Sequence, residues 1–367
     1  MNAAIIFFLL LVLMLTGMPI SISLGLTVLT FLFGFTQVPL ESVALKLFTG
    51  IEKFEIMAIP FFILAGNFLT HGGVARRMIN FAASMVGHWY GGLGLGGVLA
   101  CALFAAVSGS SPATVVAIGS ILLPAMVKAG FPKSFGAGVI TTSGALGILI
   151  PPSIVMVMYS VATNTSVGAL FMAGVVPGLA LAGVLAGVTW YRAKKYDYPR
   201  LPKASWLERL KAFKESAWGL LLIVIVMGGI YTGLFTPTEA AAMSAVYAFF
   251  VAVFVYKDMG LKDVPRVLLN SANMSAMLLY IITNAVLFSF IMTNENIPQS
   301  LADWMLGNGL GPIAFLLAVN VILLLAGNFM EPSSIVLIFA PILFPVAMKL
   351  GIDPVHFGII MVVNMEV

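Results

Sequence analysis

A polar stretch interrupts a strongly hydrophobic region of the chain at residues 108–114, where the sequence reads SGSSPAT. Apolar residues run from Leu99 to Val107 before it and from Val115 to Leu123 after it. Glycine and proline so close together break a helix, so the stretch predicts a turn between two apolar helical arms. The fold therefore depends on whether this turn lies in water or inside a membrane.

The composition of the chain answers that question. Of its 367 residues, 61% are hydrophobic and only 9% are charged, whereas charged residues make up about a quarter of a soluble domain. We therefore predict an all-α polytopic membrane protein. The lone cysteine, Cys101, excludes an intrachain disulfide. The net charge of +4 fits basic cytoplasmic loops and does not indicate nucleic acid as a partner.

The basic residues predict the topology, because short cytoplasmic loops are rich in Lys and Arg. The most basic stretch is 192–216, which we place in the cytoplasm; its basic residues are Arg192, Lys194, Lys195, Arg200, Lys203, Arg209, Lys211 and Lys214. Walking outward from it in both directions places the N-terminus outside the cytoplasm. The predicted spans are a first span within 1–18, a second span after Pro19, and 54–71, 134–163, 168–190, 217–235, 237–256 and 271–292, with amphipathic segments at 41–53 and 257–270.

The two arms beside the polar stretch are too short to cross the membrane separately. They cover 93–107 and 114–127, whereas a span needs about 20 residues. We predict that they enter the membrane and return as a re-entrant hairpin, with SGSSPAT at its tip. The residues at the base of this hairpin then lie on the cytoplasmic side; they are Arg76, Arg77, Lys128 and Lys133.

The chain contains an internal repeat. The segments 122–130 (LLPAMVKAG) and 343–351 (LFPVAMKLG) share the pattern L-x-P-x-x-x-K-x-G, and SGSSPAT matches 328–334 (NFMEPSS) at the same offset. The first half begins outside and the second begins inside, so the two repeats are inverted. We predict a first repeat over 1–191, a linker over 192–216 and a second repeat over 217–367.

Inverted repeats with interrupted helices are typical of secondary transporters, whose binding sites lie near the middle of the membrane. A second interruption is predicted at 144–153, where glycines and a Pro-Pro pair would unwind span 134–163. Freed carbonyls there, with the hydroxyls of the hairpin tip, would form a cage suited to Na⁺. The alternative is that the serines only cap helix ends.

The second half has a matching tip at 327–334. Glu331 is an ionisable residue at predicted membrane depth, which indicates a functional site; the alternative is a structural carboxylate that accepts backbone N–H groups. Asn364 occupies the position that Ser143 and Gly144 hold in the first half, so the second unwound segment would begin where the sequence ends, and we expect the sequence to be incomplete. Glu239 is expected to cap a helix N-terminus.

Five long motifs resemble those of one transporter family. They are SGSSPATV, GALGILIPPSIVM, GGIYTGLFTPTEAAA, AGNFMEPSSIVLI and GIIMVVNMEV, and they resemble the large membrane subunit of TRAP (tripartite ATP-independent periplasmic) transporters of the DctM type, in particular the C4-dicarboxylate branch. The resemblance implies a bacterial inner-membrane symporter driven by Na⁺, with a scaffold and a transport domain that moves as an elevator. It implies no enzymatic activity and no cofactor besides the coupling ion.

The same resemblance implies partners and site residues. The partners are a small membrane subunit (DctQ type) and a periplasmic solute-binding protein (DctP type), in a protein surrounded by membrane lipid. The implied first Na⁺ site comprises Ser108, Ser110, Ser111, Gly144, Gly147 and Pro151. The implied second Na⁺ site comprises Gly327, Asn328, Met330, Glu331 and Asn364. The substrate would lie between the tips, near Ser110, Thr114, Ser333 and Ser334.

Two other functions compete with this one. A stand-alone divalent-anion/Na⁺ symporter of related architecture would need no binding protein. An intramembrane serine hydrolase would use Ser110 as its nucleophile, but a serine nucleophile needs a base within hydrogen-bond reach. The histidines do not suit that role, because His71, His88 and His356 are all predicted at hairpin bases and not at the tip.

Overall fold

A computed structural model describes residues 2–36, 38–309, 311–328 and 330–366. Every regular element in these ranges is helical, which confirms the prediction of an all-α protein. Among the described residues, seven helices are long and apolar enough to cross a membrane, and 133–163 adds an eighth if it counts as one broken span. The chain is therefore polytopic, as its composition indicated.

The helices of the first half differ in length, from the short Leu146–Leu149 to the long apolar Val167–Lys195. A 3₁₀ turn at Phe54–Met57 leads into the fourth helix. In chain order the helices are α1 (Asn2–Leu15), α2 (Ile20–Phe35), α3 (Leu40–Thr49), α4 (Ala58–His71), α5 (Val74–Val86), α6 (Gly92–Ser108), α7 (Ser111–Lys128), α8 (Lys133–Gly144), α9 (Leu146–Leu149), α10 (Ile154–Thr163) and α11 (Val167–Lys195).

The second half begins with a helix that starts at Trp206 and so within the predicted linker 192–216. Its second helix continues into a π-helical turn at Val251–Val255. The helices are α12 (Trp206–Tyr231), α13 (Pro237–Phe250), α14 (Val264–Asn294), α15 (Ile297–Gly307), α16 (Pro312–Gly327), α17 (Pro332–Lys349) and α18 (Pro354–Asn364). The Thr236 hydroxyl accepts the Glu239 N–H and the Glu239 carboxylate accepts the Thr236 N–H, which is the predicted cap.

Three connecting elements differ from the expectations. The helices α5 and α15 were not predicted, and both follow a turn with left-handed backbone, at Gly73 (φ +67°) and Asn296 (φ +53°). The expected amphipathic segment 257–270 is wrong as a separate element, because residues 264–270 form the first turns of α14. The stretch 264–294 contains no glycine, and its only proline, Pro265, lies in the first turn, where proline is tolerated.

Many long helices present apolar side chains outward. On α11, Val176, Leu179 and Val184 are 73%, 62% and 62% exposed. A contiguous exposed apolar face of this kind marks a surface that does not contact water. Faces of this kind are suited to contact with membrane lipid or with another membrane protein.

The described chain forms two compact units, each assembled from separate segments of the sequence. The first unit comprises Met1–Met57, Val155–Leu170 and Ala272–Val367. The second unit comprises Ala58–Ile154 and Phe171–Ser271. The second unit contains the hairpin with SGSSPAT, and the first unit contains the tip at 327–334. These units do not correspond to the two predicted repeats, so the boundary between the repeats at 192–216 stays a prediction.

Candidate functional site

The polar stretch SGSSPAT forms the turn of a helical hairpin in the second unit. The helix α6 ends at Ser108, Gly109 adopts the left-handed conformation (φ +63°) and Ser110 is extended before α7 begins. A Cβ placed on Gly97 of α6 would lie 2.5 Å from the Leu122 Cδ2 of α7. These two positions are equally far from the turn, so the two helices run antiparallel.

The turn is stabilised by its own hydroxyl groups. The Thr114 hydroxyl donates to the Ser110 carbonyl (2.9 Å) and lies 3.0 Å from the Ser108 hydroxyl. Both Ser108 and Thr114 are almost fully buried. These two hydroxyls close the connection between the helices, but the side chain of Ser110, the N-cap residue of α7, makes no capping hydrogen bond, in contrast to the capping alternative.

The tip of the hairpin packs against the broken helix that follows it. The Ser111 hydroxyl donates to the Gly144 carbonyl (2.9 Å), and the Ile154 N–H donates to the Gly109 carbonyl (3.2 Å). A Cβ on Gly147 would lie 2.7 Å from the Ser110 backbone, a contact that real side chains do not make. The absence of a side chain at Gly147 therefore permits the two backbones to approach each other.

The break in the second helix coincides with this contact. The helix α8 ends at Gly144, and the segment Lys133–Leu149 is bent by 42° relative to Ile154–Thr163. The Pro151–Pro152 peptide between them is cis. The prediction that all of 144–153 is unwound is wrong in part, because Leu146–Leu149 form the short helix α9 and only Ala145 and residues 150–153 are non-helical.

Three helix ends of the second unit thus meet at one place. The C-terminal ends of α6 and α8 carry the carbonyl ends of their dipoles, which favour a cation, and the N-terminal end of α7 favours an anion. The Ser143 hydroxyl is fully buried in the last turn of α8 and has no hydrogen-bond partner among the described residues. Such a buried orphan oxygen is unusual and marks a place where a ligand would satisfy it.

The second tip has a similar arrangement in the first unit. A Cβ on Gly327, the last residue of α16, would lie 3.9 Å from the Asn364 carbonyl oxygen and 3.7 Å from that of Met365. The C-terminal ends of α16 and α18 are therefore adjacent, and their carbonyls again favour a cation. Phe329, between Asn328 and Met330, lies outside the described residues.

The polar side chains of the second tip mostly bond within it. The Ser333 hydroxyl donates to the Glu331 carboxylate (2.6 Å), and the Ser334 N–H donates to the Glu331 carbonyl (3.0 Å). The Asn328 amide donates to Leu324 of its own helix, and the Asn364 amide donates to Ile360. Glu331 is exposed and is the N-cap residue of α17, but its carboxylate makes no capping bond to a backbone N–H among the described residues, in contrast to the structural alternative.

A partly open cavity of about 160 Å³ lies elsewhere in the first unit, beside α10, α14 and α17. The half-buried Lys53 is the only charged residue in its described lining; its ammonium donates to the Val161 carbonyl and to Asn164 Oδ1 (2.7 Å). Burial lowers the pKa of Lys53, while Glu55 opposes that shift. Both acceptors belong to the C-terminal end of α10, so Lys53 is explained as a cap of that helix.

Comparison with known proteins identifies the family of this chain. A family described as "Tripartite ATP-independent periplasmic transporter, DctM component" matches residues 7–367. The chain belongs to this family. It is a multi-pass inner-membrane component of a TRAP transporter and not an enzyme, so the hydrolase alternative is wrong.

Several curated relatives are similar over nearly the whole chain. The C4-dicarboxylate TRAP transporter large permease protein DctM of Rhodobacter capsulatus is 76% identical, with 100% of this chain and 87% of the relative covered. The Pseudomonas aeruginosa protein of the same name is 57% identical, with 94% and 81% covered. The sialic acid TRAP transporter large permease protein SiaM of Vibrio cholerae is 38% identical, with 97% and 83% covered.

A solved structure has a similar fold. The crystal structure of the Alcanivorax borkumensis YdaH transporter, described as having an unusual topology, matches with a TM-score of 0.59 and 14% sequence identity. The match covers 89% of this chain and 77% of that one. At this identity the likeness concerns the fold alone.

The predicted site residues of this DctM-family chain fall into two groups. Five residues of the implied first Na⁺ site lie at or beside the contact between hairpin tip and broken helix; they are Ser108, Ser110, Ser111, Gly144 and Gly147. Pro151 lies in the bend and is buried. In the implied second site, Gly327 and Asn364 are brought together, whereas the side chains of Asn328 and Glu331 bond locally. Of the implied substrate residues, Ser110 and Thr114 lie in the second unit and Ser333 and Ser334 in the first.

Ser143 is the residue that sequence reasoning missed. It reads as an interior residue of span 134–163, but its position directly before Gly144 and its alignment with Asn364, an implied ligand of the second site, could have singled it out. Its orphan hydroxyl makes it a stronger candidate ligand than Ser108, whose hydroxyl contacts Thr114.

Proposed function

We propose that this chain is the large permease subunit of a Na⁺-coupled C4-dicarboxylate transporter. The substrate assignment rests on the 76% identity to a relative whose name gives C4-dicarboxylate as the substrate. TRAP transporters combine a large membrane subunit with a small membrane subunit and a periplasmic binding protein. We therefore propose a DctQ-type subunit and a DctP-type binding protein as partners of this chain.

Sodium coupling is proposed from the groups that converge at the first tip. At the first tip, two helix C-termini converge, the Ser111 hydroxyl contacts the Gly144 carbonyl, and the Ser143 hydroxyl has no protein partner among the described residues. Carbonyls and hydroxyls at the ends of interrupted helices are the ligands that secondary transporters use for Na⁺. The implied ligands there are Ser108, Ser110, Ser111, Gly144, Gly147 and Pro151, to which we add Ser143.

The second tip supports a second Na⁺ site by the same reasoning. The adjacent ends of α16 and α18 supply carbonyl oxygens, and the implied ligands are Gly327, Asn328, Met330, Glu331 and Asn364. The dicarboxylate would bind at the N-terminal ends of α7 and α17, near Ser110, Thr114, Ser333 and Ser334, because helix N-termini favour carboxylates. Inverted repeats with a scaffold and a moving transport domain would then carry both across the membrane.

Uptake into proteoliposomes tests this function. The complex of this chain with its small subunit is reconstituted, and uptake of labelled succinate is measured with and without an inward Na⁺ gradient and the binding protein. We expect uptake only when both are present, and no competition by sialic acid. Uptake by the membrane subunits alone would favour the stand-alone symporter, and uptake independent of Na⁺ would contradict the coupling.

A further inference from the structure

An aromatic pocket lies in the second unit, away from both hairpin tips. It has a volume of about 430 Å³. Its lining residues are His88, Trp89, Tyr90, Trp190 and Arg200. The first three belong to the turn between α5 and α6, Trp190 belongs to the end of α11, and Arg200 belongs to the basic linker. The transport mechanism proposed above uses none of these residues.

The linker is held against the α5–α6 turn, so the pocket is formed in advance. The Leu201 N–H donates to the Gly87 carbonyl (2.9 Å), and the Tyr198 N–H donates to the Ala193 carbonyl (2.9 Å). These bonds place Arg200 next to the turn, where its guanidinium lies 3.4 Å from the centre of the Tyr90 ring. Arg200 is thus ordered by stacking and keeps its N–H donors for another partner.

The charge of the pocket is positive. None of its lining residues is acidic, and Arg200 forms no ion pair with any residue that the structure describes. Lys194 adds a second cation, with its ammonium 5.1 Å from the centre of the Trp190 ring. The His88 Nδ1 atom is buried and lacks a hydrogen-bond partner within the described ranges. The pocket therefore offers donors to an anion.

The pocket lies where a membrane surface is expected. Trp190 is near the end of the apolar helix α11, immediately before the basic residues of its last turn. Trp89 and Trp190 are 52% and 40% exposed. Tryptophan and tyrosine concentrate at the boundary between lipid and water, and basic residues beyond an apolar span mark its cytoplasmic end.

We propose that this pocket binds the phosphate headgroup of an anionic phospholipid from the cytoplasmic leaflet. Arg200 would contact the phosphate, and the indole rings of Trp89 and Trp190 would pack against the glycerol and the upper acyl chains. Basic pockets between membrane helices on the cytoplasmic side recognise anionic headgroups in this way.

Native mass spectrometry of the purified full chain with phosphatidylglycerol tests the proposal. Wild type is expected to retain one bound phosphatidylglycerol and little phosphatidylcholine. Arg200→Gln is expected to weaken phosphatidylglycerol binding by about fivefold, the effect of one basic residue near an anionic membrane surface. Trp190→Ala is expected to weaken it as well, because it removes the wall of the pocket. Lys203→Gln is the matched control, since it removes an exposed charge of the same linker outside the pocket.

Three results would overturn the proposal. One is an equal loss of binding in Lys203→Gln, which would mean a diffuse charge effect. The second is equal binding of phosphatidylcholine, and the third is displacement of the lipid by millimolar inorganic phosphate, which would mean a site for a free anion. Thermal unfolding without added lipid checks that each variant is folded. If Arg200→Gln is unfolded, phosphatidylglycerol binding by Trp190→Ala tests the proposal in its place.

Discussion

The hydroxyl groups around the first tip have distinct roles, although their residue types are alike. Thr114 bonds the hairpin to itself, Ser111 bonds it to the broken helix, and Ser143 has no protein partner among the described residues. The sequence predicted that 108–114 and 144–153 form a polar break inside the membrane. It could not predict which hydroxyl bonds to which carbonyl, because that depends on how closely two backbones approach each other.

Ser143→Ala tests whether Ser143 is a Na⁺ ligand or a structural residue. The hydroxyl has no described protein partner, so its removal is expected to leave the melting temperature without Na⁺ unchanged or slightly raised. The increase in melting temperature caused by Na⁺ should shrink, because an oxygen that contacts a charged partner contributes about 1.5 kcal/mol, or about tenfold in affinity. Thermal unfolding over a Na⁺ titration measures both. A lower melting temperature with an intact Na⁺ effect would assign Ser143 a structural role.

Ser111→Ala is expected to raise the Na⁺ concentration needed for half-maximal succinate uptake by about fivefold. The reason is that it frees the Gly144 carbonyl and loosens the tip, at a cost of about 1 kcal/mol. Reconstituted uptake at varied Na⁺ measures this. Ser120→Ala is the control, because among the described residues the Ser120 hydroxyl bonds only to the Ala117 carbonyl in the same helix. Equal Na⁺ requirements in the two variants would contradict the role of Ser111.

Among the helices, glycines determine how the first hairpin packs against α8. The helices α7 and α8 lie side by side with Gly119 near Ile140 and Gly144 near Val115. The sequence predicted the breaks from Gly and Pro, and it predicted the Glu239 cap from the TPTE motif. It did not predict α5, because the HGG turn at 71–73 and the basic residues that follow read as a loop at a hairpin base.

Gly147→Ala is expected to displace the hairpin tip from the broken helix. Its Cβ would lie 2.7 Å from the Ser110 backbone, and overpacking of this kind costs about 2 kcal/mol. We expect a lower melting temperature and loss of Na⁺-dependent uptake. Gly138→Ala on α8 is the control: nothing lies within 4 Å of its Cβ, and alanine favours a helix. Normal uptake by Gly147→Ala would contradict the packing described here.

At the scale of the whole molecule, membership of the DctM family could be recognised from long motifs spread over the chain, and the comparisons confirm it. The opposite orientation of the two halves stays a prediction from charge distribution. Contacts within the folded chain do not report which side of a membrane a loop faces, so orientation depends on the positive-inside rule. The two compact units also could not be predicted from sequence, because each collects segments from both halves.

Cysteine labelling tests the inverted orientation. In a Cys101→Ala background, single cysteines are introduced at Lys133 and Lys203 and, in the second half, at Asn308 and Asp353. An impermeant maleimide added to intact cells is expected to label only the latter two, because the second hairpin enters from the periplasm. Permeabilised cells should label all four. Labelling of Lys133→Cys in intact cells would mean that the two hairpins enter from the same side.

We propose that the helix ends meeting at the first hairpin tip form a sodium site. Equilibrium binding of radioactive Na⁺ to the purified complex measures that most directly, in wild type and in the Ser111→Ala/Ser143→Ala double variant. We predict saturable binding in wild type and, in the double variant, the loss of one site or a drop in its affinity of about tenfold or more. Identical binding curves for the two proteins would mean that Ser111 and Ser143 do not contribute to a sodium site at the first tip.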